Sequence, residues 1–324
     1  GLALLAALAA APAAAEGWLG LPVDCRIGET CWPLQYFDHD PGSAALDYRC
    51  GGRAYDGHSG TDIGLGTEAQ IARDVPVLAA AAGRVRAVRD GEPDGLLIGS
   101  GRDALPQGRD CGNAVVLVHE DGWETQYCHM ARGSVAVRPG EDVAAGDRLG
   151  AIGLSGLTEF PHLHFAVRRN GAPVDPFRPE GAPQESCAAP GETLWTAAAE
   201  AALAYSALDL VAVGLAGGRP DYAAAKAGLY DAGEVAASAP VLSAWALAWN
   251  VKVGDRVRMR VLGPNGAAFL DETVDIGRDR RHQFLFVGRR AKGPWPAGLY
   301  RVETEIRRNG DASPRRRKAT ARIR

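Results

Sequence analysis

No run of about 18 apolar residues occurs, so no helix long enough to cross a bilayer is expected. No charge sign dominates either: 36 Lys and Arg against 39 Asp and Glu leave a net charge of -3, which supplies no electrostatic reason to bind nucleic acid. His-Glu-x2-His is missing, which excludes the helix-borne glutamate base of the commoner zinc peptidases. No Cys-x2-Cys pair occurs, which speaks against a zinc-thiolate site. No internal repeat is found, so a repeat array is not expected.

What is present is a chain of 324 residues with 46% apolar content, enough to bury a core and to form two domains. Residues 1–15, GLALLAALAAAPAAA, are too short an apolar run to span a membrane and end in the small residues Ala13, Ala14 and Ala15. This is the pattern expected before a signal peptidase cut, with the mature protein starting near Glu16. Gly1 stands without an initiator Met or a basic leader, so the segment reads as a truncated signal peptide; the competing reading is an Ala-rich helix that stays attached. Export to the periplasm, cell envelope or medium makes disulfides possible for the six cysteines. Cys25 and Cys31 are close enough for a small local loop. Cys50, Cys111, Cys128 and Cys187 flank the segments discussed below, and connectivity is open among 15 arrangements.

Three regions follow that signal. Residues 16–187 hold short apolar runs broken by Gly, Pro and Asp, the mark of many strands and tight turns. The Glu120-Asp121-Gly122-Trp123 turn between two β-prone runs predicts a hairpin. Residues 188–237 are Ala-rich, with Leu194, Ala198, Ala201, Leu208, Val211 and Leu215 at roughly helical spacing, and predict a helical connector. From 238 to 324, alternating runs such as 257–262 and 299–306 predict a small immunoglobulin-like β-sandwich whose ligand is unknown. The last 24 residues carry nine Lys or Arg against three Asp or Glu and read as a solvated edge strand with a frayed end, with attachment to an anionic wall as the alternative. The fold class is mainly β.

The chemistry concentrates in three runs, GHSGTD at 57–62, YCHM at 127–130 and HLHF at 162–165, which contain four of the seven histidines. His58 and Asp62 lie in a run too rich in Gly and Ser for a helix interior, so it is extended or looped; in a strand they would share a face. His162 and His164 share a strand face by the two-residue period, with Leu163 pointing into the core. Seven histidines in 324 residues would yield roughly 0.15 His-x-His pairs by chance, so the conjunction of the three runs is the stronger signal. Imidazole and carboxylate are good zinc donors, and a catalytic site needs three of them with a fourth position open. His39, between Asp38 and Asp40, reads as part of an acidic surface loop, or else as a second metal site. His119 reads as structural, and Tyr55 either packs or reaches a substrate carbonyl.

The order H-x3-D, Y-x-H, H-x-H at these separations resembles the lysostaphin/LytM-type zinc endopeptidases that cut peptidoglycan cross-bridges. The resemblance covers about residues 50–178 and includes the Gly112-Asn113 strand start, the 140–150 stretch and Gly153-Leu154-Ser155-Gly156 ahead of the His pair. It implies a LytM-like antiparallel β-sheet catalytic domain holding one Zn2+ per chain through His58, Asp62 and His164. It also implies that His129 and His162 flank the reacting water and carbonyl, with His129 as general base and His162 as the orienting partner, two roles that could be exchanged. The implied substrate is a peptidoglycan peptide stem. A D-Ala to diaminopimelate link is preferred over Gly-Gly because the Ala-, Gly- and Arg-heavy composition fits a GC-rich bacterial genome. The alternative is a non-catalytic LytM-like activator of a cell-wall amidase.

Overall fold

The computed structural model describes residues 17–95, 105–179 and 192–324; the expected signal peptide at 1–15 and Cys187 lie outside the described residues. Among the described residues, ten strands precede residue 180. In chain order they are β1 (Cys31–Gln35), β2 (Thr61–Leu65), β3 (Pro76–Leu78), β4 (Gly83–Arg89), β5 (Asn113–Val118), β6 (Trp123–Met130), β7 (Asp142–Val143), β8 (Arg148–Ala151), β9 (His162–Arg169) and β10 (Ala172–Val174). Eight of them form one antiparallel sheet, ordered β1-β2-β9-β6-β5-β4-β7, with β10 also on β9. The hairpin expected at 120–123 joins β5 to β6, with Asp121 (φ 52°) and Gly122 (φ 74°) making the turn.

Alternation sets the register of this sheet. Leu163, Phe165 and Val167 of β9 are fully buried and pack with Ile63, Leu65, Val115, Leu117 and Tyr127 in one apolar layer. The even-numbered residues of β9, His162 and His164 among them, therefore project from the opposite face. A slip of one residue would expose those three apolar side chains, at roughly 1.5–3 kcal/mol each, and drive two imidazoles into the core. The layer that stabilises the sheet thus also aims its histidines.

The second half contains α1 (Ala197–Ala202), β11 (Asp209–Ala216), α2 (Tyr222–Ala227), β12 (Glu234–Val235), β13 (Val241–Val251), β14 (Arg256–Leu262), β15 (Ala268–Asp275), β16 (Arg280–Arg290), β17 (Gly298–Arg307) and β18 (Arg315–Ile323). They build two sheets, β11-β13-β16 and β12-β18-β17-β14-β15, which enclose a core of Leu210, Leu215, Leu242, Val257, Met259, Val261, Val302 and Ile306. This is a β-sandwich. Two expectations change here. Among the described residues, the helical connector expected over 188–237 contains two six-residue helices, but Leu208, Val211 and Leu215 belong to β11 or its approach, and β11 and β12 join the sandwich sheets. A bulge between Leu210 and Ala212 and burial on both faces erase the alternation of β11, so its apolar spacing mimics a helix. The basic tail is not frayed: β18 pairs with β17 from Arg315 to Ile323, and its end also pairs in parallel with β12.

Disulfides join Cys25 to Cys31, as the spacing suggested, and Cys111 to Cys128. No helix among the described residues is long and apolar enough to cross a membrane. The sandwich packs on the first sheet through Trp32, Phe160, Val211, Trp245, Leu247 and Trp249. Beside this cluster Arg53, 2% exposed, pairs with Asp209, 5% exposed, at 3.2 Å and donates to the carbonyls of Pro33 and Ser206. Removing one partner of a buried pair leaves an uncompensated charge, so Arg53→Ala should cost about 3–5 kcal/mol in denaturant unfolding. A loss below about 1 kcal/mol would show that this contact does not hold the two halves together.

Candidate metal centre

Asp62 on β2 stands directly across from His164 on β9, so the cross-strand register alone makes them neighbours. His58 lies in the loop before β2, not on a strand, and buried Asp38 organises that loop. The Asp38 carboxylate accepts the backbone N–H groups of Asp40, Leu46 and Gly57 at 3.0, 3.0 and 2.9 Å, and its own N–H donates to His58 O at 2.8 Å. Burial alone would raise the Asp38 pKa, but these three N–H donors together hold it below the ordinary carboxylate range. Gly60 brings the loop against β9: a Cβ there would sit 2.6 Å from His164 Cε1 and 2.7 Å from Phe165 O.

His58 Nδ1 donates to Tyr36 O at 2.7 Å. A carbonyl cannot donate, so in the neutral ring Nε2 carries a bare lone pair. That Nε2 lies 3.1 Å from both Asp62 Oδ1 and His164 Nδ1, and the last two are 2.8 Å apart. Three potential ligand atoms thus converge on one point, an arrangement that suits a cation; His164 Nδ1 serves as a ligand in its Nε2–H tautomer and donates to Asp62 Oδ1 in the other. A tetrahedral metal with bonds of about 2.0–2.1 Å separates its ligands by roughly 3.3 Å, close to the spacing here. His58 and Asp62 are 3% and 4% exposed, so solvent does little to relieve the clustering. The donor set therefore fits a divalent metal, and His58, Asp62 and His164 form the metal-compatible group among the described residues.

His129 and His162 join the same face. A bulge in the β5–β6 ladder between Asn113 and Val115 breaks the alternation of β6, and His129 adopts a left-handed backbone (φ 61°) that a non-glycine residue rarely takes. Its N–H donates to Cys111 O at 2.8 Å, next to the Cys111–Cys128 disulfide, which ties the bulge in place. His129 Nδ1 donates to Ser155 O and His162 Nδ1 to Phe160 O, both at 2.8 Å. Each neutral ring therefore presents a bare Nε2. The two rings lie 4.6 Å apart, and His162 Nε2 is 3.5 Å from Asp62 Oδ1.

The electrostatics separate these groups. Burial, with further contributions from His162 and His164, holds His129 well below the ordinary imidazole pKa, so it stays neutral near pH 7. Burial also lowers His164, against the pull of Asp62. At His58 the opposing effect of burial is outweighed by the charge and hydrogen bond of Asp62, so its pKa is raised. Asp62 is held well below the carboxylate range because His58 and His162 outweigh its burial.

All five side chains singled out in the sequence thus meet on one sheet face. Other candidates fall elsewhere. His39 binds Asp175 at 2.7 Å instead of joining Asp38 and Asp40 around a second metal. His119 bridges Ala82 O and Thr125 Oγ1. Tyr55 is 47% exposed with its ring 4.5 Å from that of His58, at the rim of the centre. Sequence reading missed Asp38, Gly60 and the carbonyls of Tyr36, Ser155 and Phe160; the glycines of GHSGTD were visible, but backbone carbonyls leave no side-chain signal.

Gly60→Ala should displace His164 and weaken divalent metal binding tenfold or more, measured by competition with a chromophoric chelator; unchanged affinity would mean that the close approach is not required. Because the His58 pKa is raised, protons compete for its Nε2 from a higher pH than at a free imidazole. Metal affinity should therefore fall with falling pH, with the fall setting in above the ordinary imidazole value of about 6.5 and approaching on the order of tenfold per unit, and a flat profile from pH 8 to 5 would contradict the ligand set.

Comparison with known proteins matches residues 56–176 to peptidase family M23. The DD-carboxypeptidase/endopeptidase Mpg of Neisseria meningitidis is 42% identical over 65 residues, 20% of this chain and 14% of that protein. The peptidoglycan DD-endopeptidase ShyA of Vibrio cholerae is 34% identical over 67 residues, 21% of this chain and 15% of that protein. The chain therefore spans about a seventh of the length of these relatives. A zinc-containing peptidase from Vibrio cholerae overlays with a TM-score of 0.34 at 23% identity, covering 49% of this chain and 39% of that one. The match to peptidase family M23 spans residues 56–176, and all five converging side chains lie within that stretch.

Proposed function

We propose that this protein is an exported zinc metalloendopeptidase that hydrolyses peptide cross-links of bacterial peptidoglycan. The observation that carries the proposal is the placement of two imidazoles with bare Nε2 atoms beside a three-donor metal cluster on one sheet face. His58, Asp62 and His164 would hold one zinc ion per chain. When bound, zinc supplies Lewis acidity, polarising a peptide carbonyl and making water acidic enough to lose a proton near neutral pH.

The protein's own groups do the proton work. His129, kept neutral by burial, accepts the proton of the attacking water at Nε2 while Ser155 O holds Nδ1–H. The protonated ring then donates to the departing amine. His162, with Nδ1 pinned to Phe160 O, orients the water or steadies the charge developing on the carbonyl oxygen. The two rings lie 4.6 Å apart, and each has its Nδ1 held by a backbone carbonyl with Nε2 turned to the centre. That likeness leaves the two roles exchangeable.

A D-Ala to diaminopimelate link is preferred over Gly-Gly, in line with the DD-specificity in the names of both relatives. Stem peptides of peptidoglycan are the expected partners, and the periplasm or cell envelope the expected place of action. The other reading, a non-catalytic activator of a wall amidase, is less favoured because both proton-transfer histidines and all three metal donors are present.

Purified sacculi of both bridge types should be digested and the released termini identified by mass spectrometry. Expected are new D-Ala carboxyl termini, and a loss of about 10²-fold or more in His129→Ala with zinc stoichiometry retained. No cleavage by the zinc-loaded protein would sink the peptidase reading in favour of the activator; full activity of His129→Ala would overturn its role as base.

A further inference from the structure

His162 opens β9, and the loop before it sets its ring. Phe160 O accepts both the His162 Nδ1–H and the buried Thr158 hydroxyl at 2.8 Å, while Phe160 N–H donates back to Thr158 Oγ1 at 3.2 Å. Thr158 Oγ1, 3.2 Å from His162 Nδ1, is a second acceptor for the same proton, so the Phe160 carbonyl and the Thr158 hydroxyl tied to it together decide which ring nitrogen bears the proton and where Nε2 points. The Phe160 peptide is held in turn from the other half of the molecule. Its ring, 9% exposed, meets Trp249 of β13 edge-to-face, with centroids 5.3 Å apart and planes at 80°. Trp249 is 2% exposed and is backed by Trp32, 6.1 Å away and also edge-on. One residue before Phe160, Lys226 Nζ of α2 donates to Glu159 O at 2.9 Å and lies 3.5 Å from the Glu68 carboxylate.

We propose that Trp249 and Lys226 are positioning residues for His162. Through them the C-terminal sandwich is a working part of the peptidase site. The aromatic seat is directional: an edge-to-face contact constrains the tilt of the Phe160 ring, and the Lys226 bond fixes the adjacent peptide. Shortening Trp249 leaves a void into which Phe160 relaxes, turning its carbonyl away from Nδ1 and freeing the imidazole to change tautomer. Small misplacements of a proton-transfer group lower turnover more than substrate binding. The activity readout rests on the proposed role of His162; the effect on its ring does not.

The test uses the full chain, with peptidoglycan fragments as substrate for the zinc-loaded form and imidazole nitrogen NMR of the metal-free form. Wild type should show His162 as the Nδ1–H tautomer, whereas Trp249→Ala should show mixed tautomers. Its kcat should fall on the order of tenfold to a hundredfold, with KM and zinc stoichiometry within about twofold. Trp249→Phe should restore most of both signals, and Lys226→Met should shift them in the same direction as Trp249→Ala. Met259→Ala, in the sandwich core away from this cluster, should lower stability while leaving kcat and the tautomer unchanged. An unaltered His162 spectrum in Trp249→Ala, or an equal fall of kcat in Met259→Ala, would overturn the proposal. If the wild-type protein cleaves nothing, the peptidase reading fails and the NMR comparison alone decides the positioning role.

Discussion

The pairing of β2 with β9 is the constraint on which the rest depends. Ile63 lies opposite Leu163 and Asp62 opposite His164, so one ladder serves the apolar layer on one face and the metal donors on the other. The donors gain their alignment from burial on the far side of the sheet: the free energy that resists a register slip comes from Leu163, Phe165 and Val167, not from the polar groups. The polar groups alone gain little from the arrangement, since a carboxylate and an imidazole must be taken out of water to form it.

Around that ladder, backbone carbonyls do what side chains cannot. Tyr36, Ser155 and Phe160 each accept an Nδ1–H, leaving Nε2 of His58, His129 and His162 turned to the centre. Each carbonyl is fixed by local structure: the Asp38-organised loop, the Asn113 and Ser155 contacts beside the bulge, and the Thr158 and Phe160 knot. The last of these leans on the sandwich, which links packing in the second half of the chain to one imidazole in the first.

Much of this was legible in the residue order, for identifiable reasons. The two-residue period of His162 and His164 and the Asp-Gly hairpin are local signals, and the structure places them where local rules put them. His129 was legible as a residue but not as a geometry, because its left-handed backbone arises from a bulge that no spacing rule encodes. β11 read as helix because a strand buried on both faces loses alternation. The basic run at 315–318 read as a solvated edge strand with a frayed end; Arg315, Arg316 and Lys318 are exposed, but the strand is not frayed, because β18 is paired along β17 and at its end with β12, and Arg316 and Lys318 pair with Glu305 and Glu303 of β17. The Phe160 and Trp249 contact joins residues 89 positions apart and leaves no mark in either neighbourhood.

The most direct measurement is a crystal structure of the zinc-loaded protein with anomalous scattering recorded on both sides of the zinc edge. Expected is a single strong peak bonded to His58 Nε2, Asp62 Oδ1 and His164 Nδ1 at about 2.0–2.2 Å, with a fourth position free of protein atoms and with His129 and His162 outside bonding distance. A peak ligated by His129 or His162, or lying away from the β2 and β9 pair, would contradict the division into three metal donors and two proton-transfer groups.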